Sequence, residues 1–475
     1  MSKPIDADIL IIGAGSAGLS VAAGAAQLGK KVVLVEKGEM GGDCLNYGCV
    51  PSKALLAAGK RAQAFRTASK FGIADTEPSI DFAAVNAHVK GVIAAIEPND
   101  SQERFEGLGC TVLREAAVFT GPREARVGEQ VIKFKHALIA TGSSPFIPPI
   151  PGLDTTPYLT NETLFERTQA PRKLVIIGGG PIGLEMAQAH RRLGSEVEVL
   201  EASKALAKDD PELTAVALAN LRAEGIVIRE NARVIAVRAV AGGVDVDVET
   251  DGGVLTVEGS DLLVAVGRRA NVHGLGLEAA GVEYDAKGVR VDSRLRTSNK
   301  RVFAAGDVTG GRQFTHVAGY HAGVIVRNMI FKAPAKNREE IAPWVTYTDP
   351  ELAHVGLAEA EARARHGGSI KVVRWEYEEN DRAQAERATT GLIKVVLKKN
   401  GAILGASIVG ANAGDLIGAW ALAYASGLKI SDFTGFIAPY PTFGEVSKRA
   451  AGAFYTPTLF SGRTRGLVKL LGLFD

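Results

Sequence analysis

Two of the three cysteines, Cys44 and Cys49, lie in the stretch Gly41-Gly42-Asp43-Cys44-Leu45-Asn46-Tyr47-Gly48-Cys49-Val50-Pro51-Ser52-Lys53. Two thiols that can meet cycle between dithiol and disulfide and carry two electrons. A disulfide needs its Cα atoms about 4.4 to 6.8 Å apart, whereas five residues of straight helix rise about 7.5 Å. The pair therefore requires a loop or a distorted first helical turn. Pro51 suits such a turn, where backbone amides have no intrahelical partner, and Cys49 and Lys53 then share one helix face. The alternative use of the pair is as buried thiols or half of a metal site, but no second Cys-Cys or Cys-His cluster exists to complete a zinc shell.

The elements that must position this pair are legible from glycine spacing. An apolar run, Asp8 to Ile12, ends in Gly13-Ala14-Gly15-Ser16-Ala17-Gly18, followed by an alanine-rich helix to Leu28 and a strand from Lys31 to Val35 that ends at Glu36. A strand, a glycine triplet opening a helix, and an acid twenty-three residues after the first glycine together form a dinucleotide fingerprint. Gly13 makes the turn, Gly15 lets the backbone approach a pyrophosphate at the helix N-terminus, and Glu36 accepts from a ribose hydroxyl. The pattern recurs: Leu174 to Ile177 is a strand, Gly178-Gly179-Gly180-Pro181-Ile182-Gly183 the turn, and Glu201 again follows its first glycine by twenty-three residues. Two such units imply two dinucleotides.

At 475 residues, with 46% apolar content, the chain is expected to hold about three domains with packed cores. A formal net charge of +2 gives no case for nucleic acid or an acidic substrate. Three cysteines cannot build a secreted disulfide framework, and the chain runs almost at once into a strand, so a cytoplasmic protein without signal peptide is expected. No run approaches eighteen apolar residues, and no membrane-spanning helix is expected. Residues 54 to 110 read as helical, with Cys110 an inert buried thiol.

The segment Gly-Gly-x-Cys-x-Asn-x-Gly-Cys-x-Pro-Ser-Lys resembles the redox-active centre of the class I pyridine nucleotide-disulfide oxidoreductases, the family of dihydrolipoamide dehydrogenase, glutathione reductase and mercuric reductase. The resemblance runs from residue 8 to about 450. It implies an α/β fold with two dinucleotide-binding (Rossmann-like) domains of the glutathione reductase type and a C-terminal α+β dimerisation domain. The implied division is 1–150 for the first part of the FAD-binding domain, 151–275 for the NAD(H)-binding domain, 276–338 for the return to FAD binding, and 339–475 for dimerisation.

The implied cofactors are FAD and NAD. FAD falls to Gly13, Gly15, Ser16, Ala17, Gly18, Glu36 and Lys37, then to Gly42, Asp43, Lys53, Ala117, and the Ala-Thr-Gly segment at Thr141 and Gly142. Gly306 and Asp307 hold the ribityl chain, while Thr315, His316 and Ala318 approach the isoalloxazine ring with a helix start. For His316 a structural role is favoured over that of a base. The nicotinamide cofactor falls to Gly178, Gly180, Ile182, Gly183, Glu185 and Glu201, with Gly267 and Arg268 in a second glycine crossover. The Glu201 carboxylate accepts from a free 2′-hydroxyl and repels a 2′-phosphate, which favours NADH. Lys53 pairs with Glu185 beside the flavin, Cys49 is the sulfur nearer the flavin, and Cys44 is the thiol that meets the acceptor.

The implied activity is that of a homodimeric, FAD-dependent NADH:disulfide oxidoreductase similar to dihydrolipoamide dehydrogenase, whose site the partner's C-terminal domain completes. A mercuric reductase-like metal-ion reductase and an NADH-dependent quinone reductase are the alternatives. The chain departs from the family where a partner histidine normally manages thiol protons: the matching segment is Pro439-Tyr440-Pro441-Thr442-Phe443-Gly444-Glu445, with Tyr440 in its place and Glu445 retained. A tyrosine titrates near 10 and a histidine near 6.5, so Tyr440 is a poor proton acceptor. No cysteine follows Cys110 to relay a metal. Asp43 replaces a threonine and disfavours a Cys44 thiolate. The run Leu459 to Leu471 mixes basic and apolar residues at helical spacing; packing in the dimer is favoured for it over contact with an anionic membrane surface.

Overall fold

The computed structural model describes residues Lys3–Phe474. Its contacts divide into two units: the chain up to Arg66 with Thr76–Ala202 and Asn231–Glu339, and Thr67–Asp75 with Ser203–Glu230 and the chain from Glu340 onward.

The first unit is built on a seven-stranded sheet. Strands β1 (Ile5–Ile12), β2 (Val32–Val35), β3 (Thr111–Leu113), β4 (Ala117–Gly121), β5 (Glu124–Val127) and β6 (Gln130–Ile139) lie in the order β3-β2-β1-β6-β5-β4. Strand Val302–Ala304 joins in parallel against the C-terminal half of β6. β1 ends Leu-Ile-Ile and β6 ends Ala-Leu-Ile, continuous apolar runs of the kind a parallel strand covered on both faces requires. Leu10, Ile11, Leu138 and Ile139 are accordingly fully buried. The first half of β6 pairs antiparallel with β5 and alternates apolar and polar side chains. Helix α1 (Ser16–Gln27) follows β1 and buries Leu19, Val21, Ala22 and Ala25. Helix α2 (Gly42–Asn46) and helix α3 (Cys49–Arg66) carry the redox stretch.

The same unit repeats the plan from residue 173. β8 (Lys173–Ile177) lies between β9 (Glu196–Leu200) and strand Asp261–Val264, all parallel, and helix Pro181–Arg192 follows β8 as α1 follows β1. An antiparallel ribbon of Arg233–Val240, Gly243–Thr250 and Gly253–Gly259 buries Val244, Val246 and Val248 and leaves Asp245 and Asp247 partly exposed, the period of two that the sequence displays. The connections leading in and out of this second layer meet: β7 (Ser143–Pro145) pairs antiparallel with Arg268–Ala270.

The second unit is a five-stranded antiparallel sheet in the order Trp344–Thr346, Glu351–Gly356, Ile403–Gly410, Leu392–Lys398, Ile370–Glu376. Helix Ala413–Ser426 covers one face, with Trp420 fully buried and stacked on Phe433 at 3.9 Å between ring centroids. Lys394 is buried in this sheet with its ammonium 2.8 Å from each of Asp210, Glu212 and Glu359. Removing Lys394 would leave the buried Asp210 carboxylate without its cation, at a cost of about 3–5 kcal/mol. Among the described residues no helix is long and apolar enough to cross a membrane.

Candidate functional site

Cys44 lies in the short helix α2 and Cys49 opens α3, with Gly48 at the break between them. The distorted helix start expected from the spacing is therefore the observed geometry. Cys49 is exposed, Cys44 half-buried and Cys110 buried. The two thiols of the pair share a hydrogen bond, which lowers Cys49 and raises Cys44, and burial opposes the charge on both. The Thr315 hydroxyl, 3.4 Å from the Cys49 sulfur, and the Lys53 ammonium also favour a Cys49 thiolate. Thr315 is the first residue of helix Thr315–Met329, whose N-terminal turn carries the positive end of its dipole.

Lys53 stands one turn after Cys49 on α3, and its Nζ donates to Glu185 Oε2 at 2.7 Å. Glu185 is buried on helix Pro181–Arg192, so this ion pair spans the two repeated layers. A clamp on the other side of the redox stretch was not legible in the sequence. Asp43 accepts from Asn161 Nδ2 at 3.0 Å and lies 3.0 Å from the Arg268 guanidinium. Asn161 also donates to the Tyr47 carbonyl at 3.1 Å. Arg268 Nε donates to Ser143 Oγ at 2.7 Å, and Ser143 Oγ donates to Asp307 at 2.6 Å. Asp307 is pushed above the usual carboxylate range by burial, which the Ser143 bond and Arg268 offset in part. The Asp43 charge itself raises both cysteines, the effect expected of it from sequence.

The two glycine loops present equivalent cradles. Gly13 and Gly178 have φ of +106° and +113°, and a Cβ on either would stand 2.3 Å from the Ala140 carbonyl oxygen or 2.5 Å from that of Ala265. Only glycine fits these turns. Glu36 accepts from the Ala14 amide and Glu201 from the Gly179 amide, each at 2.7 Å, so both acids are held at their loop. The helices that begin at Ser16 and Pro181 have no side chain capping their N-termini. A Cβ on Gly15 would meet only Gly42 Cα, at 4.0 Å, and one on Gly180 nothing within 4 Å. Uncapped helix N-termini beside a fixed carboxylate fit a pyrophosphate and its ribose, so these residues fit FAD at the first loop and a nicotinamide dinucleotide at the second.

The remaining expected residues fall as follows. Ser16 and Ala17 form the first turn of α1 with Gly18, Lys37 is exposed just past β2, and Ala117 opens β4 on the sheet's edge. Thr141 and Gly142 precede β7, where Thr141 exchanges hydrogen bonds with Asn271 at 2.8 and 2.9 Å. Gly306 follows strand Val302–Ala304, and its amide donates to the buried His321 at 3.2 Å. Ala318 lies 3.4 Å from where a Gly306 Cβ would be. His316 is exposed and stacks on Phe314 with ring centroids 5.3 Å apart. Ile182 is exposed beside Gly183, and Gly267 has φ of +130°.

In the second unit Tyr440 is exposed, and its hydroxyl donates to Asp381 at 2.7 Å. That bond pushes the phenol above its ordinary value, and the charge of Glu445, at the start of helix Glu445–Leu459, adds to it. Asn380 Nδ2 donates to the Thr442 carbonyl at 3.1 Å, so Asn380 and Asp381 together hold the 439–445 segment. The sequence names Glu445 as the acid of this segment; Asp381, fifty-nine residues away, is the one that bonds Tyr440.

Among known proteins, the sequence profile described as "Pyridine nucleotide-disulphide oxidoreductase" matches residues 7–322, and that of the corresponding dimerisation domain matches residues 342–451. A mercuric reductase of Streptomyces lividans is 37% identical over 455 residues, covering 94% of this chain and 96% of the relative. A dihydrolipoyl dehydrogenase of Geobacillus stearothermophilus is 34% identical over 455 residues with the same coverages. The Cu(II) complex of the HOCl-induced flavoprotein disulfide reductase RclA from Escherichia coli superposes with a TM-score of 0.83 at 28% identity, over 93% of this chain and 98% of that one.

Proposed function

The chain belongs to the pyridine nucleotide-disulphide oxidoreductases, flavin-dependent enzymes that contain FAD and use NAD(P)H, and from that premise we propose that it is an NADH-dependent reductase whose Cys44–Cys49 pair delivers electrons to a thiophilic metal ion. The observation that carries this reading is the hydrogen bond from Tyr440 to Asp381. Oxidising a substrate dithiol requires a base that titrates near working pH to take its protons. A phenol whose proton is held by a carboxylate, which raises it further above its ordinary value, is not that base.

A soft cation makes no such demand. Hg(II) bonds to two thiolates; two electrons originating from NADH would then release Hg(0) and leave both thiolates in place, with no proton moved at Tyr440. Cu(II), the ion in the RclA complex, would take one electron per ion. FAD supplies the two-electron link between the nicotinamide and the cysteine pair. Lys53, held by Glu185, stabilises negative charge beside it. Cys49 bears the pair's charge, and Cys44 gives up its proton as the metal bonds. In this reading the two thiolates of the pair hold the metal. Glu201 selects NADH over NADPH, and the 439–445 segment completes the partner's site in a homodimer. We assign these roles to the residues singled out above, with domain limits as the sequence divides them.

A small-molecule disulfide is the second reading. It is favoured by the α2–α3 break, which places Cys44 and Cys49 so that one closes on the other once a mixed disulfide forms. The separating experiment is anaerobic reduction of the flavin-loaded protein with NADH, followed by rapid mixing with Hg(II) in excess thiol, Cu(II), lipoamide or glutathione disulfide. Catalytic reoxidation by the metals and slow reoxidation by lipoamide is the expected result, with Cys44→Ser abolishing it. Catalytic turnover of lipoamide would sink the metal reading.

A further inference from the structure

We propose that the C-terminal helix Gly462–Leu471 is an in-plane anchor for an anionic membrane surface. Helix Glu445–Leu459 ends shortly after Pro457, and Ser461 starts a new helix by accepting from the Thr464 amide. The Thr464 hydroxyl bonds back to the Thr458 carbonyl at 2.7 Å, which fixes the junction. Beyond it the helix buries no residue. Leu467, Val468, Leu470, Leu471, Leu473 and Phe474 are each more than half exposed.

Their arrangement is that of an interfacial helix. Leu467, Leu470, Leu471 and Phe474 follow an i, i+3, i+4, i+7 pattern on one face, and the winding continues past Leu471 through amide bonds from Leu473 and Phe474. Arg465 and Lys469, four residues apart, lie on the other face, with Arg463 at the helix start. Ten residues rise about 15 Å, half of a bilayer's apolar thickness, so the helix is suited to lie along a surface and not to cross it.

Charge selects the occupant. Between Glu445 and Asp475 the sequence carries Lys448, Arg449, Arg463, Arg465 and Lys469 and no Asp or Glu. An anionic lipid surface accepts the apolar face and neutralises the bases together. The sequence pattern alone favoured dimer packing; bare apolar side chains beside an acid-free basic row favour lipid.

The test is co-sedimentation of the full-length, flavin-loaded protein with phosphatidylcholine vesicles and with phosphatidylcholine–phosphatidylglycerol vesicles. Binding to the anionic vesicles only, weakened by salt, is expected. Arg465→Glu with Lys469→Glu should lower the partition at least about tenfold, and Leu467→Ser with Leu470→Ser comparably, while NADH still reduces the flavin. A Phe474→Trp reporter should shift its emission to the blue on anionic vesicles. Equal partition of the parent and the charge-reversed protein would overturn the proposal. So would a parent that stays in solution with both vesicle types, or a Leu470→Ser change that dissociates the dimer without altering sedimentation.

Discussion

The two glycine loops share almost every feature of their turns and differ in what lies in front of them. Both have a first glycine in the same left-handed conformation against a neighbouring strand's carbonyl, and both have an acid bonded to the next residue's amide at 2.7 Å. In front of the first loop lies the redox stretch: a Cβ on Gly42 would come within 2.8 Å of Gly15 Cα. In front of Gly180 there is open space. The first loop suits a cofactor enclosed between the loop and the cysteine-bearing helices. The second suits one that must arrive and leave on every turnover.

Substitutions at the paired positions test that difference most severely. Gly13→Ala drives a methyl group into the Ala140 carbonyl and forces a side chain into the left-handed region, so the protein should purify without flavin or fail to accumulate, read by its yellow absorbance. Gly178→Ala meets the same obstacle at Ala265 and should retain flavin while NADH reduction falls at least about a hundredfold. Loss of flavin in both variants would erase the distinction. Next in size is Lys53→Met, which removes the ammonium beside buried Glu185 and should lower stability by about 1–3 kcal/mol, measured by thermal melting, together with slower acceptance of electrons by the flavin.

Smaller effects separate the acids. Glu201→Ala should narrow the preference for NADH over NADPH by about 1 kcal/mol or more, seen in the ratio of kcat/KM values, whereas Glu36→Ala should leave that ratio alone and weaken flavin retention. Asp43→Thr should be the mildest. Cys49 is brought to about 6, and its thiolate fills as pH rises through that value. Because the Asp43 carboxylate raises it, removing that charge moves the midpoint to lower pH, read from thiolate absorbance of the reduced protein against pH. A shift to higher pH would show that loosening the Arg268–Asn161 clamp outweighs the lost repulsion.

Much of this was readable before any coordinates. The cysteine pair, both glycine loops and both acids announce themselves by fixed spacing, since a turn against a backbone carbonyl admits one residue type, and the Lys53–Glu185 partnership follows from the family resemblance. Asn161, Ser143 and Asp381 were not readable. Each is an ordinary polar residue whose role exists only because the fold brings its atoms to a partner more than fifty positions away. β6 was half legible for a related reason: its continuous apolar end matches a buried parallel strand, while its alternating start resembles any exposed hairpin. The C-terminal helix was legible as a pattern, and its exposure came from the structure.

Strand Val302–Ala304 imposes an order on synthesis. It supplies the second neighbour of Ala137, Leu138 and Ile139, which β1 already flanks on the other side. A ribosome adding about 5–20 residues per second needs roughly ten to thirty seconds to pass from Ile139 to Ala304. Throughout that interval the nascent sheet has an apolar edge of unpaired amides and carbonyls, the kind of edge other chains add to, while the layer that begins at residue 173 is already complete on both sides of β8 once Val264 has emerged. The sheet that carries the first glycine loop is thus completed only after the central strands of the second layer have been made.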